Sequence, residues 1–143
     1  MIDDNCLFCS IVFGVKTAAI IDDDADGFVF LDHRPIFPGH CLVVPHQHFE
    51  TLADLPVSAV GPFFKKVQLI SRVVESAMDA EGTFVAMNNR VSQSVPHLHV
   101  HVVPRRKKDG LKGFFWPRTK YQSEEEMFET AKRLKHELSK TAR

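Results

Sequence analysis

The sequence predicts an α+β fold with a mainly antiparallel sheet, one long central helix and a C-terminal helix. Short apolar segments bounded by turn residues predict strands on both sides of one long segment with helical periodicity. At 143 residues the chain is long enough to bury a core and too short for two ordinary domains. We therefore expect one domain over residues 1–143.

The first half of the chain predicts a short helix followed by three strands. Apolar residues at helical spacing run from Leu7 to Val12 and end at Gly14, which predicts one or two helical turns. An acidic turn at residues 22–27 and a Pro-Gly segment separate the apolar segments that follow. Strands are predicted at 18–21, 28–31 and 41–44, a spacing typical of antiparallel hairpins or a meander.

The second half predicts the long helix, two more strands and the C-terminal helix. Apolar residues follow a helical period over 57–78, although Pro62 leaves the start of this helix open because helix interiors exclude proline. Strands are predicted at 83–87 and 96–103. Ser123, with Glu126 three residues later, forms a capping-box pattern at the start of the last helix.

The composition excludes several partner classes. Eighteen basic and eighteen acidic residues give zero net charge, so no overall field favours nucleic acid or a membrane. The N-terminus lacks a basic region followed by an apolar run, and no segment approaches transmembrane length. Three cysteines are few and odd in number for a disulfide framework. We expect a cytoplasmic protein with reduced thiols.

Three histidines alternate with apolar residues near residue 100. In a strand, His97, His99 and His101 share one face, and the opposite face holds Leu98, Val100 and Val102. Imidazole is both neutral and charged near physiological pH, so it can attack, move a proton or bind a metal. Packing alone does not explain three histidines in register, which makes this run the candidate reactive strand.

The histidine run, with residues 93–95 before it and 103–105 after it, resembles the histidine triad (HIT) family of nucleotide-binding proteins. Further matches occur in order at 6–9, 30–32, 39–45 with His48, and 87–88, so the resemblance covers nearly all of the chain. It implies the HIT α+β domain, which is usually a homodimer with a nucleotide bound beside the triad.

The resemblance also implies a reaction. The family cleaves at the α-phosphorus of a nucleotide through a covalent nucleotidyl-histidine, and the middle triad histidine, here His99, is the nucleophile. A covalent intermediate splits one difficult displacement into two easier ones. His101 is expected to contact phosphate oxygens and the leaving-group side, and no catalytic metal is required.

Four polar residues complete the expected nucleotide site. Asp32 is expected to accept hydrogen bonds from the ribose hydroxyls. Asn88, Ser94 and the turn that begins at Gln93 are expected to supply donors to the phosphate. The chain departs from the family at Ser92, where glycine is usual, and residues 88–93 are shortened. These departures leave the oxyanion geometry and the preferred leaving group open.

Cys6 and Cys9 form a two-thiolate half-site of the kind that binds zinc. By resemblance to members with this pair, His48 and His97 complete a structural zinc site. Two alternatives are a pair of buried free thiols and a redox dithiol, although the βαβ context of the latter is absent. Cys41 is predicted to lie in the core.

Two further segments have two interpretations each. The basic residues 105–108 form a solvated loop or attract the polyphosphate of a larger substrate. The aromatic segment 111–118 covers a dimer partner or stacks on a base. His40 and His46 are predicted to be surface or packing histidines.

The leading prediction is a hydrolase or transferase acting on a purine nucleoside phosphoramidate or a dinucleoside polyphosphate. One alternative is a nucleotide-binding signalling or interaction protein with little turnover, against which the intact His99 argues. Another is a metallohydrolase that uses two triad histidines, for which the sequence shows no nearby third ligand.

Overall fold

The computed structural model describes residues 5–111 and 118–141, so most of the aromatic segment 111–118 lies outside the described residues. The chain divides into two compact units, residues 1–109 and residues 110–143. The first unit contains all the strands and both earlier helices, and the second contains the C-terminal helix. One domain over 1–143 stays a prediction.

The element order confirms the predicted α+β class. The helices are α1 (Leu7–Val12), α2 (Val57–Ala77) and α3 (Glu124–Lys140), with a 3-10 turn at Leu52–Asp54. The strands are β1 (Ile20–Asp24), β2 (Gly27–Leu31), β3 (Cys41–Val44), β4 (Gly82–Ala86) and β5 (Val100–Arg105). The sheet order is β1-β2-β3-β5-β4, and every pairing is antiparallel.

The two faces of the sheet have separate apolar clusters. One face packs against α2 through β-branched residues of the central strands, such as Val43, Val100 and Val102. The other face packs against α1 through Phe28, Phe30, Leu42 and their neighbours. Because side chains alternate along a strand, β5 directs Val100 and Val102 towards α2 and His101 towards the α1 side. The candidate site therefore lies on the α1 face.

The predicted strand 96–103 is wrong at its start, because the sheet pairing of β5 begins only at Val100 and extends to Arg105. The backbone before Val100 forms other bonds. The His97 N–H donates to the Val95 carbonyl at 2.8 Å, and the Leu98 N–H donates to the Phe49 carbonyl at 2.6 Å. Thus only one of the three triad histidines is in the strand.

The first strand also differs from the prediction of residues 18–21, because β1 extends to Asp24 and contains most of the supposed acidic turn. Asp22 and Asp24 lie in this strand because both carboxylates pair with the ammonium of Lys66, which is buried on α2. Residues 25 and 26 alone connect β1 to β2. Ion pairing therefore offsets the low strand propensity of aspartate.

The two long helices agree with their sequence signals. Helix α2 contains Pro62 as its sixth residue, so the helix starts before the proline. Ser123 caps α3, since its hydroxyl accepts the Glu126 N–H at 3.0 Å. None of the helices in the described ranges is both long and apolar enough to cross a membrane.

Candidate active site

The three triad histidines follow one another on the α1 side of the sheet, at β5 and in the residues just before it. His97 and His99 precede β5 and are buried, whereas His101 lies within β5 between Leu42 of β3 and Ala86 of β4. Their rings are neighbours, since the centroids of His99 and His101 are 5.0 Å apart. The structure thus places the predicted histidines together despite the shorter strand.

The ring of His99 is held in one tautomer by the backbone. Its Nδ1 lies 2.6 Å from the carbonyl oxygen of His97. A carbonyl only accepts hydrogen bonds, so Nδ1 carries the proton. In the neutral ring the other nitrogen, Nε2, is then left with a free lone pair. A nucleophilic histidine requires this lone pair.

His101 is held in the opposite tautomer by His40. The backbone N–H of Ile36 donates to Nδ1 of His40 at 3.1 Å, so a neutral His40 carries its proton on Nε2. That Nε2 lies 2.9 Å from Nδ1 of His101 and donates to it. The neutral His101 ring consequently carries its own proton on Nε2.

His40 is a residue whose role the sequence analysis missed. It is 2 % exposed and is one of the largest fully buried side chains, whereas we predicted a surface or packing histidine. A signal was available, because strand alternation places residue 40 on the same face as Leu42, which pairs with His101.

Asp32 lies next to these two histidines at the end of β2. One carboxylate oxygen accepts the Arg34 N–H at 2.9 Å, and the other lies 3.8 Å from Nε2 of His40. Asp32, His40 and His101 are therefore close enough to share a metal ion. This cluster contains only one triad histidine, whereas the metallohydrolase hypothesis requires two, and the direct bond between His40 and His101 already explains it.

An apolar cavity of about 470 Å³ opens beside Asp32. Helix α1 contributes Leu7, Phe8 and Ile11, and the sheet contributes Phe30 and others. The edge of the Phe8 ring also faces His99, with centroids 5.0 Å apart and planes at 88°. A cavity of this size and lining is typical of small-ligand sites.

The loop that precedes the triad is braced by its own polar side chains. Gln93 accepts the Arg90 N–H at 2.8 Å and donates to the Glu50 carbonyl at 2.6 Å. Asn88 donates to the Ser92 carbonyl at 3.2 Å. Asn88 is exposed, and so is Ser94, the residue after Gln93. Both ends of the Gln93 amide are thus bonded within the protein, while Ser94 faces solvent.

Burial keeps the histidines of the site neutral. It is the main cause that lowers the pKa of His97 and of His101, each to about 4. Burial also lowers the pKa of His99 and of His40, despite the opposing effect of Asp32. Neutral rings are the state on which the tautomer assignments above depend.

A second cluster joins α1 to the start of the triad. Nδ1 of His97 lies 3.5 Å from the Cys6 sulfur and 3.6 Å from the Cys9 sulfur, and Nδ1 of His48 lies 3.4 Å from the Cys9 sulfur. In a tetrahedral zinc site the ligand nitrogen and sulfur atoms are about 3.6 Å apart. The separations in this cluster thus fit zinc.

The tautomer of His97 also fits a metal ligand. Its Nε2 donates to the Pro45 carbonyl at 2.9 Å, which leaves the Nδ1 lone pair directed at the two sulfurs. Burial raises the pKa of the Cys6 thiol, a cost that a bound cation offsets. Cys41 is separate from the cluster and lies in the core, where burial raises its pKa to about 11.

The basic residues 105–108 lie at the far end of β5 from the triad. Arg105 forms a two-contact ion pair with Asp109, at 2.5 and 3.0 Å. Arg106 donates to the Met78 carbonyl, and the Lys107 N–H donates to Glu81 at 2.9 Å. These bonds favour the structural interpretation of this loop over phosphate attraction.

Three named relatives resemble this chain in sequence. An adenylylsulfatase from Arabidopsis thaliana is 31% identical over 77% of this chain, which spans only 57% of that protein. A bis(5'-nucleosyl)-tetraphosphatase (asymmetrical) from Schizosaccharomyces pombe is 37% identical over 56% of this chain and 45% of its own length. An adenosine 5'-monophosphoramidase from Candida albicans is 30% identical over 95% of this chain and 93% of its own length.

Solved structures agree with these similarities. A HIT family member from Bacillus subtilis has a TM-score of 0.85 at 28% identity, covering 98% of this chain and 99% of that one. A zinc-bound histidine triad protein from Mycobacterium smegmatis has a TM-score of 0.71 at 36% identity, covering 85% and 87%. The HIT domain family itself matches residues 14–108. This chain therefore belongs to the HIT family.

Proposed function

We propose that this protein is a nucleotide hydrolase or transferase that cleaves at the α-phosphate of a nucleoside phosphoramidate or a dinucleoside polyphosphate. The observation that carries the proposal is the bond from Nδ1 of His99 to the His97 carbonyl, which leaves Nε2 free to attack. The named relatives act on three kinds of adenylyl or dinucleotide bond, which supports this substrate class.

In the first step, Nε2 of His99 attacks the α-phosphorus and the bond to the leaving group breaks. The leaving group accepts a hydrogen bond from Nε2 of His101, whose tautomer His40 sets, and takes its proton from solvent, because a neutral histidine pair that lost a proton would be left as an imidazolate. In the second step, water attacks phosphorus and releases a proton to solvent, the bond to His99 breaks while Nδ1 keeps its proton, and a nucleoside monophosphate is released.

The surrounding residues bind the nucleotide. The cavity lined by Leu7, Phe8 and Ile11 holds the base, and its size suits a purine. Asp32, at the rim, accepts the ribose hydroxyls. Asn88 and Ser94 donate to the phosphate, together with backbone amides of the turn that Gln93 braces.

The cluster of Cys6, Cys9, His48 and His97 is proposed to hold a structural zinc ion, which supplies a fixed link between α1 and the triad. The donor set and its spacing support the assignment. Elemental analysis should find about one zinc per chain. Cys9→Ser should lose it, and Cys41→Ser, which alters a core cysteine, should retain it.

The protein is further proposed to act as a homodimer in the cytoplasm. Val85 on the edge strand β4 and the α2 residues Leu69 and Val73 are exposed, which supports burial against a second copy. Three free cysteines suit a reducing compartment. Sedimentation equilibrium should give twice the mass of one chain.

The substrate assay tests the proposal directly. Purified protein is mixed with adenosine 5'-phosphoramidate or with diadenosine polyphosphates, and the guanosine analogues test base preference. We expect a burst of leaving group and, in rapidly denatured samples, a nucleotide adduct on the peptide segment that holds His99. Cleavage of neither class, or an adduct elsewhere, would contradict the proposal. Tight binding without a burst would support the signalling alternative.

A further inference from the structure

His97 takes part in both the cysteine–histidine cluster and the histidine triad, through different atoms. Nδ1 of its ring contacts the two cysteine sulfurs, and Nε2 donates to the Pro45 carbonyl. Its backbone carbonyl accepts the Nδ1 proton of His99. A single residue therefore connects the candidate metal ligands to the atom that selects the nucleophile's tautomer.

The sheet does not fix that carbonyl. Residue 97 lies before the paired residues of β5, and its N–H bonds locally to Val95. The next residue, Leu98, is bonded to Phe49 in a loop. Outside a strand ladder, the direction of this carbonyl depends on separate anchors. Because a peptide group is planar, the bond from the Leu98 N–H to Phe49 holds the 97–98 peptide from one side. The His97 side chain holds it from the other side, through Pro45 and the cysteine cluster.

We infer that His97 is a positioning residue for the reaction: the metal cluster, by holding its ring, holds the carbonyl that keeps Nε2 of His99 free for attack. This inference rests on the proposed function. Loss of the metal removes one of the two anchors of the His97 ring, so the 97–98 peptide tilts about the Leu98–Phe49 bond and its carbonyl moves away from Nδ1 of His99. The His99 ring then samples the tautomer with the proton on Nε2, which cannot attack phosphorus.

A second route from the metal would have a different kinetic effect. Helix α1 contains Cys9 and is capped by Cys6, and it also contributes Leu7, Phe8 and Ile11 to the cavity. If metal loss acted only by loosening α1, nucleotide binding would weaken and KM would rise. The route through His97 acts on the reactive ring, so it lowers kcat.

The test removes the metal without altering the triad or α1. His48→Ala deletes the ligand that lies outside both the triad and the α1 segment, His48→Cys restores a ligand of another type, and Cys41→Ser is the matched control. Zinc content, kcat, KM and the ¹⁵N NMR shifts of the His99 ring are measured for each variant. The NMR shifts report the tautomer in the free protein and need no substrate.

We expect His48→Ala to lose zinc, to lower kcat by about 10- to 100-fold with KM changed less than about threefold, and to convert His99 from one tautomer to a mixture. His48→Cys should restore zinc, kcat and the tautomer, and Cys41→Ser should match the wild type. If His48→Ala does not fold, zinc is stripped from folded wild-type protein by a chelator and then returned.

Two results would overturn the inference: zinc loss that leaves the His99 tautomer unchanged, or a loss of activity carried by KM alone. A wild-type protein that cleaves no nucleotide would instead refute the proposed function, and the NMR measurement would still decide whether the metal controls the tautomer. Failure of the two proposals can therefore be distinguished.

Discussion

The candidate metal cluster and the proposed reactive end of the triad each use a histidine, and the two histidines are in opposite tautomers. His97 donates from Nε2 to the Pro45 carbonyl and keeps its Nδ1 lone pair for the sulfurs. His99, two residues later, donates from Nδ1 to the His97 carbonyl and keeps its Nε2 lone pair for substrate. In both rings a backbone carbonyl determines which nitrogen is available.

This difference shows how neighbouring histidines acquire separate roles. Both rings are buried and both have lowered pKa values, so burial does not distinguish them. The hydrogen-bond acceptor distinguishes them, because it determines which ring nitrogen keeps its lone pair. In His97 this is Nδ1, which suits a metal ligand, and in His99 it is Nε2, which suits a nucleophile. The four predictions that follow test the separation, starting with the largest expected effect.

Replacing the nucleophile should separate activity from metal binding. In His99→Ala, kcat should fall by at least about 10⁴-fold, since His99 supplies the lone pair that attacks phosphorus in the proposed reaction. Its zinc content should equal that of the wild type, because the ligand atoms belong to other side chains. His136→Ala, which alters an exposed histidine of α3, is the control. Retained turnover, or lost zinc, in His99→Ala would show that the two clusters are not separate.

The neutral ring of His101 should make stability depend on pH. Its folded pKa, about 4, lies below its ordinary value of 6.5. Between these values the unfolded chain binds more protons, so the free energy of unfolding falls as the pH falls through this window.

His101→Gln removes this titration and should reduce the fall between pH 7 and pH 4 by up to about 3 kcal/mol. Urea denaturation of both proteins at pH 7, 5.5 and 4 measures the difference. Titration of the metal ligands occurs in both proteins and cancels. His33→Gln, whose ring is 85% exposed, should follow the wild-type curve. Parallel curves for His101→Gln would mean that His101 is not held neutral.

The bond between His40 and His101 should affect turnover more moderately. His40→Leu keeps the volume but removes the donor to Nδ1 of His101, so kcat should fall by about 10- to 100-fold. His40→Gln can still accept the Ile36 N–H and donate to His101, and it should recover most of the loss. Equal losses in the two variants would indicate a packing role for His40.

The sequence predicted the elements and the triad better than it predicted the contacts. Alternation and helical spacing located β3 at 41–44 and the end of α1 because these segments follow local rules. The start of β5 and the role of His40 depend on partners distant in sequence, Phe49 and His101. Strand alternation indicates the face on which residue 40 lies, but no local pattern specifies the residue that it contacts.

Reversing the departure from the family at residue 92, by Ser92→Gly, should have the smallest effect on stability and turnover. Ser92 has φ +58°, in the left-handed region that favours glycine. Ser92→Gly relieves the steric cost of about 1 kcal/mol but makes the unfolded chain more flexible, so stability should rise by less than about 1 kcal/mol. Val91→Gly is the matched control and should destabilise, because residue 91 is not in that region. Thermal unfolding measures both.

Turnover measurements should also show that the loop around residue 92 acts independently of the triad histidines. The bond from Asn88 reaches the backbone carbonyl of residue 92, which Ser92→Gly retains. The tautomer of His99 depends on the His97 carbonyl and not on this loop. We therefore expect kcat in Ser92→Gly to remain within about twofold of the wild type, because no transition-state contact is lost. A larger change would mean that the loop, and not only the two carbonyls, sets the reactive geometry.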